Sequence, residues 1–588
     1  MDRWQISRAL EEIARYIELS DPNRFKAQAF ERAARSIEAS GGEVVELVRS
    51  GALYDTPGIG KAIGPIIVEL VETGDSRYLN DLRKQYPAGI FALMRVPGLG
   101  LKKIGILYEQ LGIGTVDELE QACRQDRLRA LKGFGAKTQQ KLLDGIGFAR
   151  SSESSFLLPT ALEVAEPLVE RLAKIESIAD VVITGSVRRR LEIVHNVNLA
   201  ISSVDPDAVV AEITRASLLD QLQVIRPGTI RGRARNEMDV LLHMASPGDF
   251  GVTILTSTGS QAFVDAAGAK AAKEGIDTGT PWTKGGRALS LPSEESVFEA
   301  LGATFVEPEL REKALPLARR KRTALVSADQ LQGTFHVHTT FSDGRSSVYE
   351  MLDAARQRDF SYIGISDHSK TAAYAGGLTV ERVAEQQAEI DRHAPAFAPM
   401  RVFKGTEADI LADGSIDYDS GTLAKFDFVI ASVHSRFSMP KDEMTERIVQ
   451  ALQNPFVTFL GHLTGRLLLS RDGYSVDFGK IFDAAAENGV MIEINGNPHR
   501  LDLDWRHIRD ALSRGVRFSI HPDAHSTDSL SHVVSGTWVA RKAGLRARDI
   551  FNTAPLEEIT AYLEQRKRSA MDRTRTAARG ESGRGSLM

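Results

Sequence analysis

Between residues 335 and 525 the chain repeats one pattern seven times: a short apolar, strand-like run followed by a helical or polar stretch. The runs are FHVHTTF, YIGISDH, RVFKGTEADI, DFVIASVHS, FVTFLGH, VMIEINGN and RFSIHPDAH. Strands buried on both faces read as near-continuous apolar segments, and strands alternating with helices form parallel sheets. The rhythm therefore predicts a parallel βα architecture closing as a distorted barrel. Nearly all these runs carry histidine, aspartate or glutamate at the C-terminal end, where barrel folds build their active sites.

At 588 residues the chain is too long for one core and should hold roughly three to five domains. A hydrophobic content of 42% with 26% charged residues is that of a soluble globular protein, and no apolar stretch approaches a membrane span. The start, MDRWQISRALEEIARY, lacks the apolar segment of a signal peptide. A single cysteine, Cys123, rules out an internal disulfide framework and suits a reducing cytoplasm. The expectation is a cytoplasmic protein with no membrane partner. A net charge of -5 exerts no global pull toward nucleic acid, so any such binding must rest on local motifs. Oligomeric state is not legible.

The first 150 residues read as short helices broken by three glycine-hydrophobic-glycine turns. These are Pro57-Gly58-Ile59-Gly60-Lys61, Pro97-Gly98-Leu99-Gly100 with Lys102 and Lys103, and Gly133-Phe134-Gly135 with Lys137. One such turn would be ordinary. Three, each before a helix and beside a lysine, suggest backbone N–H groups presented to successive phosphates, which positions DNA without reading its sequence. They resemble helix-hairpin-helix DNA-binding motifs.

From about Leu158 the texture becomes mixed α and β. The run from Gly185-Ser186 through Arg188, Arg189 and Arg190 to Asn196-Val197-Asn198 resembles the nucleotidyltransferase signature of family X DNA polymerases, and Asp239 in NEMDVLL matches that family's third carboxylate. Thr258-Gly259-Ser260 and Glu307-Pro308-Glu309-Leu310-Arg311 match its thumb motifs. The resemblance implies a palm that binds nucleotide through Gly185, Ser186, Arg189, Asn196, Asn198, Asp239 and Gly259, with dNTP a further ligand besides DNA. It also implies an Asp-x-Asp pair, yet asparagines stand at both positions. An amide keeps an oxygen ligand but loses the charge that Mg²⁺ among phosphates requires, which argues against Mg²⁺ at the palm and against robust polymerisation. Relatives also excise deoxyribose phosphate through a Schiff-base lysine; the matching position here is Ile66, and nearby Lys61 reads as a phosphate contact.

In the C-terminal third, His336 and His338 lie two apart on a strand-like run and should share one face. With Asp343, His368, Glu407, His434, His462, Asp523 and His525 they fill every position of the ligand pattern of the polymerase and histidinol phosphatase (PHP) domain, which this region resembles. The resemblance implies three divalent ions: one held by His336, His338, Glu407 and Asp523, a second by Glu407, His434 and His462, a third by Asp343, His368 and His525. Mixed imidazole and carboxylate ligation suits Mn²⁺, Zn²⁺ or Fe²⁺; family analogy puts manganese first. Asp343, His368, Glu407 and Arg500 are the candidate catalytic residues, Arg500 as a phosphate clamp beside Glu493-Ile494-Asn495-Gly496-Asn497-Pro498. Clustered divalent ions activate water and neutralise the leaving alkoxide, which is phosphodiester hydrolysis.

The whole then reads as a multidomain chain: helix-hairpin-helix regions over 1–80 and 81–150 (all-α), an α+β nucleotidyltransferase palm over 151–245 and thumb over 246–312, a linker over 313–332, an α/β PHP domain over 333–565, and a basic disordered tail over 566–588. The leading functional expectation is 3'-5' exonuclease or 3'-end processing of gapped, nicked or 3'-ended DNA in repair. Alternatives are an active gap-filling polymerase with an attached exonuclease, a non-catalytic DNA-end binding protein and a small-molecule phosphatase.

Overall fold

The computed structural model describes residues 3–20, 24–39, 44–56, 58–87, 89–96, 99–131, 133–151, 155–234, 236–322 and 324–584. The chain divides into two compact units, Met1–Glu153 and Ser154–Met588. No helix among the described residues is long and apolar enough to cross a membrane.

The first unit is all-helical: α1 (Arg3–Ser20), α2 (Arg24–Ala39), α3 (Val44–Ser50), α4 (Gly64–Thr73), α5 (Arg77–Gln85), α6 (Leu101–Leu111), α7 (Val116–Arg124) and α8 (Ala136–Ser151), with short 3-10 turns between. Ile6, Leu10, Ile13 and Ile17 recur at helical spacing along α1 and are buried. Thr115 and Glu118 form a capping box that starts α7, and Ser76 accepts from Leu79 N–H to start α5. One apolar cluster runs from Ile6 to Ile146, so the expected regions 1–80 and 81–150 share a core.

In the second unit, β1 (Asp180–Thr184), β2 (Asn196–Ser202), β3 (Asp220–Arg226), β4 (Thr229–Arg233) and β5 (Asp239–Ala245) form a mixed sheet in the order β1-β2-β5-β4-β3. β2 and β5 run parallel, with Asn196 directly opposite Asp239. The helix Phe250–Thr258 covers this sheet through Phe250 and Ile254 on Ala200. A separate apolar cluster from Leu255 to Leu317 forms the thumb.

The seven apolar runs become β6 (Gly333–Val337), β7 (Tyr362–Ile365), β8 (Arg401–Asp409), β9 (Phe428–Ser432), β10 (Phe459–Leu460), β11 (Met491–Asn495) and β12 (Phe518–His521), all parallel and in sequence order. The ends meet: His338 N–H donates to Ala524 O at 2.8 Å and Ala524 N–H to His336 O at 3.1 Å, giving a near-closed barrel. Phe335, Phe428 and Phe459 fill part of the interior, with ring centroids 4.8 and 5.1 Å from Phe335. Below the mouth the barrel is a packed core and not a channel.

Two expectations need correction. The stretch 313–332 is no free linker: Leu317 is buried in the thumb cluster, while Val326 and Leu331 are buried against the barrel. The tail expected to be disordered from Arg566 instead continues the helix Leu556–Arg584. Arg566 anchors that helix by donating to the carbonyl oxygens of Val457 and Gly489, and Ala570 is buried; a basic composition conceals these few contacts. The palm and thumb dock on the barrel through Glu192, which accepts from Trp505 Nε1 at 3.3 Å and Arg506 Nη1 at 2.6 Å, and through Glu309, which pairs with Arg541 at 2.6 Å.

Candidate metal centre and palm site

Each of β6 to β12 delivers polar side chains to the barrel mouth, and Glu407 on β8 stands at their centre, 1% exposed. His462 Nε2 lies 2.9 Å from its Oε1, His434 Nε2 3.2 Å and His336 Nε2 3.3 Å. His368 Nδ1 lies 3.0 Å and His338 Nε2 3.5 Å from its Oε2. Asp523 Oδ1 is 3.5 Å from Nε2 of both His336 and His338. Asp343 Oδ1 is 3.6 Å from His368 and 3.4 Å from His525. All nine residues singled out in the sequence thus converge on one pocket, and Arg500 joins them with Nε 3.2 Å from Asp523 Oδ2.

His336 and His338 reach this pocket by an unexpected route. Plain strand alternation was the reason to place them on one face, but the pairing of β6 with β7 shifts register between Thr334 and Val337, and His336 takes φ +61°. Asp523 likewise takes φ +52°. Left-handed backbone at a non-glycine residue is costly and concentrates where surroundings impose it, at functional sites above all.

The donor set fits divalent ions. Nε2 of His336 and both ring nitrogens of His338 are buried with no hydrogen-bond partner among the described residues. Buried polar atoms without partners are expensive, and lone pairs aimed at carboxylates across a gap are what a cation would join. Ligands held at about 2.1 Å around a tetrahedral ion stand roughly 3.4 Å apart, which is the spacing found here. Groups able to grip one ion are His338, Asp343, His368 and His525; His336, His338 and Glu407; His336, His462 and Asp523; His368, Glu407 and His434; and His336, Glu493 and His521. His462 groups with His336 and Asp523, and its Nε2 and that of His434 also lie 2.9 and 3.2 Å from Glu407 Oε1, the residues of the expected second set.

Charge divides the imidazoles. Burial opposes protonation, yet at His434 the Glu407 and Asp409 carboxylates reverse this and raise it to about 9. At His525, Asp343 and Asp523 do the same, also to about 9. His338, buried beside His525 and His368, is pushed down to about 3. Glu407, despite burial, is held well below the usual carboxylate range by His434, His336 and His368.

A supporting layer orients these groups. Asp409 Oδ1 accepts from His434 Nδ1 at 2.7 Å, and Glu493 accepts from His336 Nδ1 and from His521 Nδ1 at 3.1 Å. Such carboxylates fix the tautomer and leave Nε2 free to ligate. Asp367 ties down the mouth by accepting from Thr339 N–H at 2.7 Å and Gln386 Nε2 at 2.6 Å. Asp409 was missed in the sequence, although its place two residues after Glu407 on one strand puts both on one face.

At the palm, Gly185 has φ +66°, and a Cβ there would lie 2.6 Å from Asn198 Nδ2, so glycine makes room for that side chain. Asn198 Nδ2 donates to Asn196 Oδ1 at 2.5 Å, and Asn198 Oδ1 faces His243 Nε2 at 2.9 Å. Asp239 lies 3.4 Å from Arg233 Nε. Arg189 is drawn away from the expected nucleotide role: its Nε pairs with Glu312 at 2.9 Å and its Nη1 donates to Thr258 O at 2.7 Å, beside Gly259, while Ser186 is half-buried.

Ile59, Leu99 and Phe134, each central to a glycine turn, are buried in the helical core. Gly60, Gly100 and Gly135 beside them face open space, as a backbone that meets phosphates must. Gly58 and Gly133 adopt φ +83° and +93°, which glycine tolerates best. Lys61 and Lys102 are exposed and Lys103 half-buried, while Pro57, Pro97, Gly98 and the Lys137 side chain lie outside the described residues.

Residues 1–76 match the helix-hairpin-helix domain, 91–147 the SAM-like helix-hairpin-helix tandem and 334–497 the PHP domain. The chain is 33% identical over 577 residues, 96% of its length and 100% of the relative's, to the DNA polymerase/3'-5' exonuclease PolX of Bacillus subtilis (strain 168). The chain belongs to the family X DNA polymerases that carry a C-terminal PHP domain. A probable phosphatase of Thermoanaerobacter sp. (strain X514) is 27% identical over 250 residues, 40% of this chain and 94% of that protein. A probable phosphatase of Photobacterium profundum is also 27% identical over 250 residues, 40% of this chain and 95% of that protein. In this family X polymerase the strand β12, with Asp523 and His525, lies beyond the matched PHP stretch yet completes the same sheet.

Proposed function

We propose that this family X protein is a cytoplasmic DNA-repair enzyme whose PHP domain hydrolyses phosphodiesters from the 3' end of DNA, and whose palm polymerises weakly or not at all. The observation that carries the first part is Glu407 encircled by five imidazoles at 2.9–3.5 Å, with Asp343 and Asp523 beside them. His336, His338, Asp343, His368, Glu407, His434, His462, Asp523 and His525 would hold three divalent ions, manganese first, with Zn²⁺ or Fe²⁺ the alternatives. Bound there, such ions supply Lewis-acid charge and an activated water near neutral pH.

The protein's own groups do the rest. Arg500 stands at Asp523 to take a phosphate oxygen, Asp409 and Glu493 hold imidazoles in the ligating tautomer, and the packed aromatic floor excludes bulk water. The exposed hairpin glycines and lysines would follow the phosphates of nicked, gapped or 3'-ended DNA without reading sequence.

The second part rests on the palm amides. Two neutral side chains hydrogen-bonded to each other offer no charge to Mg²⁺, and Arg189 is committed to Glu312, so the palm would serve as a platform for DNA ends or dNTP.

End-labelled single-stranded, nicked and gapped DNA incubated with Mn²⁺ tests the reading. Shortening from the 3' end that disappears in His336→Ala and Asp523→Ala supports it, and nuclease activity that persists in both rejects the site. Robust templated incorporation in a primer-extension assay would reject the weak-palm reading.

A further inference from the structure

The basic run Arg311–Arg322 belongs neither to the barrel mouth nor to the palm sheet. After the buried Arg311 it folds back on the thumb: Arg320 N–H donates to Thr304 Oγ1 at 2.8 Å, and Arg322 lies 4.6 Å over the Phe305 ring. This strap forms one wall of a cleft of about 560 Å³, whose opposite wall is the helix Trp505–Ser513 with the turn from Lys542 to Arg546.

The charges in the cleft do not balance. Its carboxylates are Glu307, Glu309 and Glu312, and each is already matched, by Arg322 at 2.7 Å, Arg541 at 2.6 Å and Lys542 respectively. Lys313, Arg320, Lys321, Arg509 and Arg546 also line it, and among the described residues none of them has a carboxylate within ion-pair distance. Walls carrying one sign of excess charge concentrate the opposite ion. Leu315 and the half-buried Phe305 and Trp505 also line it, with Arg322 over the Phe305 ring and Arg506 and Lys542 over the Trp505 ring, so the cleft combines apolar surface with fixed cations. The volume falls within the roughly 300–1,000 Å³ usual for small-ligand sites.

We propose that this cleft between thumb and barrel binds nucleoside phosphate groups, carried either by a nucleic-acid strand or by a free nucleotide. Strand binding would give the protein a phosphate grip separate from the hairpins. Free-nucleotide binding would make it a small-molecule site outside the palm.

The test is equilibrium binding by the full-length protein, in chelator so that no hydrolysis intervenes, which keeps it independent of the metal-centre reading. The probes are a fluorescent single-stranded oligonucleotide and, separately, a labelled deoxynucleoside triphosphate. Lys321→Glu with Arg546→Glu, both exposed, is compared with wild type and with Lys441→Glu on a distant helix start. If a strand is the ligand, the double variant binds the oligonucleotide about 10-fold more weakly, and its salt slope falls by about 1.4, the share of two phosphate contacts on a single strand. If a free nucleotide is the ligand, triphosphate binding falls by a similar factor and the oligonucleotide is unaffected. Lys321→Gln with Arg546→Gln, which removes charge without reversing it, shows a smaller loss of the same kind and serves if the first pair lowers the melting temperature. Binding of both probes as tight as wild type, or an equal loss in Lys441→Glu, overturns the proposal.

Discussion

The Asn198 amide donates to the Asn196 amide oxygen across 2.5 Å on β2, directly beside Asp239 on β5. In the proposed reading of the palm, this neutral pair stands where two metal-binding carboxylates would be expected. Replacing both by aspartate substitutes mutual repulsion for this hydrogen bond, at a cost of about 1–3 kcal/mol without metal. Asn196→Asp with Asn198→Asp should therefore melt several degrees lower than wild type in chelator, and millimolar Mg²⁺ should recover more of that loss than it adds to wild type. Equal Mg²⁺ responses in the two proteins would count against the amides as the reason for a weak palm.

His243, facing Asn198 and buried, is pushed down to about 4, first by burial and then by Arg226. The unfolded chain binds this proton near pH 6.5, so between 6.5 and about 4 the unfolded state holds more protons and stability falls as pH falls. The effect is on the order of 3 kcal/mol over that window. In chemical denaturation from pH 7 to 4, His243→Gln should lose less stability than wild type; identical slopes would remove His243 as the cause.

Metal affinity should rise with pH up to about 9. His434 and His525, both raised to about 9 by neighbouring carboxylates against burial, must release protons when they ligate. Without metal their contribution to stability has the opposite sign: it is present below about 6.5 and lost as pH passes 9. Asp409→Asn weakens the hold on His434 and should reduce metal affinity about 10- to 100-fold, read by competition with a chelating dye.

Arg311 is fully buried, with its guanidinium 5.6, 5.3 and 5.2 Å from the rings of Phe263, Phe298 and Phe305, and it is paired with the buried Glu294. Arg311→Met leaves Glu294 with Arg188 as its remaining cationic partner and should cost about 3–5 kcal/mol. Adding Glu294→Gln should return more than half of this. Additive losses in the double variant, measured by urea unfolding, would show that the two side chains do not act as a pair.

The barrel was legible because its strands are continuous apolar runs and its polar residues fall at their C-terminal ends; spacing alone placed Glu407, His434 and His462 at strand ends. Backbone detail was not. The left-handed φ of His336 depends on a register shift against β7, which no local pattern encodes. Asp409 hid because a carboxylate two residues from another reads as an ordinary strand-end charge. The stretch 313–332 reads as a linker because its basic residues are of a kind usually solvated; that Arg311 just before it has three aromatic rings and Glu294 around it is decided by residues 6 to 48 positions away. The tail helix escaped for a similar reason, since its contacts are the carbonyl oxygens of Val457 and Gly489.

In the proposed mechanism a single buried carboxylate, Glu407, organises the ions that cleave phosphodiesters at the barrel mouth. Elemental analysis of wild type and Glu407→Gln, purified identically, tests it most directly. Wild type should carry close to three transition-metal ions per chain and the variant at most one; a wild type free of such ions, or a variant that keeps them all, would contradict the account.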